Sequence, residues 1–178
     1  MVRICLFAAL IAALGLLPRI DIPIAAGVPV TAQTLGVMLA GLLLGARAGV
    51  LSVLLFIGVV ALGLPFLAGG RGGLGVFAGP TTGFLLGWIP GAFITGLFAV
   101  DRAKGHSWRG FLAAFVGALA GGILVVYACG IGWLILYGMS LKAAAFATLI
   151  FLPGDLLKVM AAAWIATRFN PYPLRSPQ

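Results

Sequence analysis

The residues able to do chemistry are few, and they sit where an apolar chain tolerates them least. The 178-residue sequence holds three acidic residues, all aspartate, and one histidine. One aspartate and one lysine fall inside a long apolar stretch, in Pro153-Gly154-Asp155-Leu156-Leu157-Lys158. Asp155 and Lys158 are three positions apart, so on a helix they share a face. An ionised group at mid-membrane costs about 2.5–3.5 kcal/mol on insertion scales, and one retained there is a functional candidate by default. A carboxylate can only accept hydrogen bonds and an ammonium can only donate them. The pair can therefore close on itself as a structural bridge, or offer an acceptor and a donor to a polar ligand. Pro153 sharpens the placement, because proline suits the first turn of a helix and disrupts its interior. The final helix is expected to begin near Pro153, after a short outer element over 139–152. Asp155 then stands in its first turn, where the helix dipole favours negative charge.

Two polar stretches lie elsewhere. Val28-Pro29-Val30-Thr31-Ala32-Gln33-Thr34 reads as an extended segment leading into a helix, with Thr31 and Gln33 as candidate ligand contacts. Gly69-Gly70-Arg71-Gly72-Gly73 offers one guanidinium, and backbone amides such as those of Gly70 and Gly72, in a loop that can approach a ligand closely. No G-x-x-x-x-G-K-[ST] is present, so a nucleotide P-loop is rejected. H-E-x-x-H and G-x-S-x-G are absent too, and no second carboxylate stands near Asp155 to complete an acid–base pair. Recognition of a small molecule fits these residues better than catalysis, and neither a cofactor nor a metal site is expected. Cys5 and Cys129 are expected to be small buried hydrophobes. His106 lies in a polar loop and is expected to be solvated.

The elements that must hold these residues are set by composition. The chain is 63% hydrophobic and 8% charged, against about 45–50% and 25% in an average soluble chain. A net charge of +8 would suggest nucleic acid for a soluble domain. Here no continuous polar surface exists to present it, so no nucleic-acid partner is expected and the medium is the lipid bilayer. A hydrocarbon core of ~30 Å takes about 20 residues per helix. Six segments approach that length: 3–17, 35–45, 49–64, 80–100, 110–137 and 153–169. With six spans the termini share a side. That side carries Arg3, Arg47, Arg102, Lys104, Arg109, Arg168 and Arg175, against Arg19, Arg71 and Lys142 opposite. The positive-inside rule then makes both termini cytoplasmic. The expectation is one all-α domain over 1–178, an integral, multi-pass protein of the cell membrane with six transmembrane helices. The first residues also look like a signal peptide, but no small-x-small cleavage site precedes the loop, so the first helix is expected to be retained. Glycines at 79, 83, 87 and 91, at 117 and 121, and at 41 and 45 mark smooth helix faces for close packing. Ala8 with Ala12, and Ala9 with Ala13, do the same in the first helix.

Three stretches together match a known family. PVTAQTLGVMLAG (29–41), LPFLAGGRGGLGVFAGPTTGF (64–84) and PGDLLK (153–158) resemble the BioY family, the biotin-specific substrate-binding (S) components of energy-coupling-factor (ECF) transporters. With six spans in the right order, the resemblance covers nearly the whole chain. It implies a biotin-binding, non-enzymatic uptake protein that works with a transmembrane coupling subunit and ATP-binding subunits. It also implies roles for the residues. Asp155 would take a ureido N–H of biotin and Lys158 would donate to the ureido oxygen. Arg71 or loop amides would meet the carboxylate, with Thr31 and Gln33 at the rim. Phe77, Phe84 and Tyr127 would flank the thiophane ring. Ala8, Ala9, Ala12 and Ala13 look like the face by which such components meet the coupling subunit. One departure stands out: the family usually reads GPTGGY where this chain has Gly79-Pro80-Thr81-Thr82-Gly83-Phe84, so a tyrosine hydroxyl is missing and Phe84 can only be an apolar wall.

Three other readings use the same residues. One is an S component for a different small vitamin. Another is a membrane-embedded enzyme with Asp155 and Lys158 as acid and base, and the last is a helix-packing protein that forms oligomers through its glycine and alanine faces.

Overall fold

The computed structural model describes residues 1–18, 31–99 and 107–168. Arg19, Arg102, Lys104, His106, Arg175 and the start of the Val28–Thr34 stretch lie outside the described residues. A chain this apolar has little besides its own backbone to satisfy its peptide groups, and helices result. They are α1 (Val2–Gly15), α2 (Gln33–Leu44), α3 (Ala46–Ala61), α4 (Thr82–Leu97), α5 (Trp108–Leu119), α6 (Val126–Leu136), α7 (Leu141–Leu149) and α8 (Leu152–Arg168). A short 3₁₀ turn, Leu74–Ala78, precedes α4, and a lone antiparallel bridge joins Leu67 to Arg71.

Most expected segments reappear within a few residues of their predicted bounds, and two show detail that the sequence conceals. α2 and α3 are parted by a single residue, Gly45, at φ 83°. α5 and α6 form one continuous 29-residue helix, Trp108–Leu136, whose middle, Ala120–Val125, is wound as a π-helix. That helix alone, among the described residues, is long and apolar enough to cross a membrane unaided; α7 and α8 pass the same test together, across a 51° bend. Pro153 is the second residue of α8 and Asp155 lies in its first turn, as proline's fit to a helix start requires.

α4 is the hub of the bundle. It packs on α2, α3, α5, α6 and the π segment, while α8 closes against α2 and α5, and α1 against α2 and α3. The close approach depends on glycine. A Cβ on Gly121 would overlap Thr95 Oγ1 and the Gly91 carbonyl, and one on Gly83 would overlap Trp133. Gly79 and Gly45, expected to extend these faces, instead lie outside the helices.

Large apolar side chains also cover the outside: Leu54, Leu55, Leu86, Phe93, Val116, Phe146, Met160 and Trp164 are all exposed. In water such a surface drives association; in lipid it is the ordinary exterior of a membrane protein. Cys5 corrects an expectation, being exposed on α1 rather than buried, while Cys129 is half-buried. On α1 the alanines divide. Ala8 is buried in the core and Ala12 half-buried, whereas Ala9 and Ala13 are exposed. Ala8 therefore belongs to the internal packing face, since its methyl is enclosed by the bundle.

The packing predicts opposite signs for two glycine substitutions. Gly121→Ala should destabilise the protein by about 1–3 kcal/mol through overpacking. Gly58→Ala, where a Cβ meets nothing within 4 Å, should be neutral or stabilise by up to about 1 kcal/mol through helix propensity. Thermal unfolding of both variants in detergent checks the pair.

Candidate functional site

The amino-terminal ends of α2, α4 and α8 converge at one end of the bundle, where they and the middle of the long helix enclose a cavity of about 640 Å³, measured out to its mouth. The lining is largely apolar, with Leu67, Phe84, Leu85, Trp88, Val126 and Phe151, and of its polar groups Thr31, Thr34 and Tyr127 gather around Asp155 and Lys158.

Asp155 is 5% exposed, so its charge requires partners. Oδ1 faces Lys158 Nζ at 2.6 Å, Tyr127 donates its hydroxyl to Oδ2 at 2.7 Å, and Thr34 donates to Oδ1 at 3.4 Å. Lys158 Nζ also donates to the Thr31 carbonyl at 2.5 Å and to Thr34 Oγ1 at 3.1 Å. Three elements thus meet on one ion pair: α8 supplies both charges, the long helix supplies Tyr127, and the start of α2 supplies Thr31 and Thr34. A paired, hydrogen-bonded charge is the form in which burial is tolerable. The pair therefore does two things at once: it holds these elements together and it lines the cavity.

The other predicted residues separate. Gln33 lines the cavity but its amide is committed to backbone: Nε2 donates to the Ile11 and Phe66 carbonyls at 3.2 and 3.1 Å, and Oε1 accepts from Ala68 N at 3.1 Å. It is a clamp tying α1, α2 and the loop after α3 while it lines the cavity. Its burial to 1% exposure follows from those three bonds. Arg71 lines the cavity, with Nε donating to the Ala68 carbonyl at 3.3 Å. Gly70 and Gly72 do not line it. Gly70 takes φ 70° at an exposed corner, and Gly72 presses on the Leu64 carbonyl so closely that a Cβ would overlap it; both shape the loop. Phe77 packs half-buried against the core, away from the cavity. Phe84 is a cavity wall, set edge-on to Phe151 with ring centroids 6.3 Å apart.

The BioY family profile matches residues 1–173. The chain belongs to the BioY family. It is 50% identical over 177 residues to the biotin transporter BioY of Rhodobacter capsulatus, a match covering 94% of this chain and 90% of that protein. To the biotin transporter BioY of Rhizobium etli it is 48% identical over 167 residues, covering 92% and 88%. Among solved structures it is similar to the S-component for biotin from an ECF-type ABC transporter, with a TM-score of 0.84 and 32% identity over 95% of this chain and 89% of that one.

The sequence did not single out Thr34, Thr81, Leu67, Leu85, Trp88, Val126 or Phe151 in this BioY-family chain, although all line the cavity. A signal existed for two of them: Thr34 follows Gln33 in a polar run, and Trp88 falls seven positions after Thr81, on the same helical face.

The Gln33 clamp predicts a structural phenotype. Gln33→Ala removes three hydrogen bonds and leaves buried backbone groups unpaired, each costing about 1–3 kcal/mol. The melting temperature should fall sharply, and proteolysis should cut faster within residues 63–73; an unchanged melting temperature would return Gln33 to the list of ligand contacts.

Proposed function

We propose that this chain is the substrate-specific S component of an ECF-type transporter, binding biotin from outside and mediating its uptake. It is a transporter component rather than an enzyme. The observation that carries the reading is the buried Asp155–Lys158 pair, facing a largely apolar cavity in a BioY-family chain. Biotin presents two ureido N–H donors and a carbonyl, an apolar thiophane and a carboxylate tail. Asp155 has about four acceptor positions and three donors already on it, which leaves one for a ureido N–H. Lys158 turns one N–H from Thr34 or the Thr31 carbonyl toward the ureido oxygen. Hydrogen bonds with one charged partner contribute about 1.5–3 kcal/mol each. Phe84, Phe151 and the ring of Tyr127 enclose the thiophane, and Arg71 meets the carboxylate at the mouth, beside Thr31.

In this reading the helices make six spans, with α7 and α8 counted as one, in the cell membrane. Both termini are cytoplasmic, so the cavity mouth faces outward, where the vitamin is captured. Energy comes from a coupling transmembrane subunit and ATP-binding subunits. The exposed Ala9 and Ala13, four apart on α1, form a strip on which a partner helix can approach closely.

Two measurements test the reading. Asp155→Asn and Lys158→Ala should each weaken biotin binding at least ten-fold, because each leaves a polar group unpaired in an apolar pocket. Titration calorimetry of folded variants checks this, and wild-type affinity in both would leave the pair purely structural. A panel of labelled vitamins run beside biotin separates this reading from an S component of other specificity. For the coupling strip, Ala9→Trp and Ala13→Trp should abolish co-purification with the coupling subunits and uptake while leaving biotin affinity within about two-fold, since these side chains lie outside the fold's own packing. Loss of binding would make the strip internal.

A further inference from the structure

Thr81 stands at the start of α4, 9% exposed, and leaves its hydroxyl unused. A threonine in that place commonly accepts a hydrogen bond from a first-turn amide. Thr81 accepts none, and its side chain bonds to no other described group. Buried hydroxyls are normally paired, because an unpaired one is costly. Nor is Oγ1 sealed inside the protein. Among the described residues, the side-chain polar atoms that are both enclosed and unpartnered are Trp88 Nε1 and Thr95 Oγ1. The Thr81 oxygen therefore keeps open surface, and the space that Thr81 lines is the cavity.

The helix end beside it is electrostatically unanswered. A helix start carries roughly half a positive charge. α8 meets its own with Asp155, whereas α4 has no acidic residue in its first turn and no side-chain cap. The first amides of α4 are short of acceptors as well. The Gly79 carbonyl accepts from Thr82 N at 3.3 Å, from Thr82 Oγ1 at 2.8 Å and from Trp133 Nε1 at 2.9 Å. Among the described residues, the amides of Gly83 and Phe84 have no backbone acceptor. The same bonds anchor the turn before α4, so its open end is held in place before a ligand arrives.

Ligand chemistry decides what such a place receives. In the biotin reading, Asp155 and Lys158 take the ureido ring at the start of α8. The polar group then left over is the carboxylate, an anion that only accepts hydrogen bonds. All three N–H bonds of Lys158 already have acceptors, in Thr31, Thr34 and Asp155. Thr81 can donate with nothing broken, and it does so at a positive helix end, which favours an anion.

We propose that the start of α4 is the carboxylate subsite of this cavity, with the Thr81 hydroxyl donating to a carboxylate oxygen of the ligand. This rests on the reading of the site as one for biotin, and it does not depend on Arg71, whose Nε is turned to the Ala68 carbonyl.

Calorimetric titration of the detergent-purified protein with biotin and with biotinamide, in which a neutral amide replaces the carboxylate, tests it. Thr81→Val keeps the branched shape and removes the hydroxyl. It should weaken biotin about ten-fold and biotinamide by about three-fold at most, because a hydrogen bond to a neutral acceptor is the weaker one. Thr81→Ser, which keeps the hydroxyl, should bind biotin within about three-fold of the wild type. Without ligand, Thr81→Val should melt no lower than the wild type, since the hydroxyl has no protein partner to lose. Unchanged biotin affinity in Thr81→Val overturns the proposal, and so does an equal loss for the two ligands, which makes the contact blind to charge. A loss in Thr81→Ser as large as that in Thr81→Val assigns the effect to shape, and a lower melting temperature of ligand-free Thr81→Val assigns it to folding; either overturns the subsite. Failure of the wild type itself to bind biotin overturns the reading of the site instead, and is seen before any variant is made.

Discussion

A carboxylate buried in an apolar bundle forces the rest of the structure to answer it. Asp155 cannot be left alone in such surroundings, and Lys158 on the same helix meets only part of the requirement. The remainder comes from Tyr127, 28 positions earlier, and from Thr34, 121 positions earlier. Lys158 makes the same demand on Thr31. Satisfying one ion pair thus fixes the relative placement of α8, the long helix and the start of α2. The cavity is the space those three elements leave against α4 and the loop before it once the pair is satisfied. In the proposed biotin reading, recognition and folding would draw on the same bonds, and a ligand that exchanges hydrogen bonds with this cluster would act at once on the contacts between helices.

The loop between α3 and α4 is held from a different direction. Gln33 reaches the carbonyls of Ile11 and Phe66 and the amide of Ala68. Arg71 pairs with Leu67 across a two-way backbone bridge and returns its side chain to the Ala68 carbonyl. Gly72 is forced against Leu64. A glycine-rich segment that reads as pliable is therefore tied down at several points, with Arg71 held at the cavity wall. Preorganisation of this kind spares a binder the entropy of ordering the loop when the ligand arrives.

What could be read from the sequence followed from costs that leave a mark in one dimension. A charge in an apolar run and a proline at a helix start each carry a local penalty or preference, and each located its element. The orientation of side chains left no such mark. In a soluble helix the buried face is the apolar one, but here lipid and core are both apolar, so Cys5 and Cys129, or Ala8 and Ala9, cannot be sorted as inward or outward by type. Polar residues at helix ends are equally ambiguous. Gln33 reads identically whether its amide meets a ligand or a backbone carbonyl 22 residues away. The Tyr127–Asp155 bond depends on tertiary approach, and nothing in the spacing of the two residues announces it.

The π segment at Ala120–Val125 bears on how such a protein can change over time. A π turn amounts to one residue more than a regular turn holds, and each residue advances a helix by about 100°. Everything from Val126 onward is rotated by that step relative to the run that begins at Trp108. The half carrying Gly117 and Gly121 is phased to the α4 crossing, and the half carrying Val126 and Tyr127 is phased to the cavity. Rewinding the π turn as regular helix, with no residue lost, would rotate Tyr127 by about 100° away from Asp155, whereas removing one residue there would restore a regular helix with the two halves still in phase. The two halves of this helix are thus geared to one another by the winding of a single turn, and a change in that winding would alter their meshing with no change of sequence.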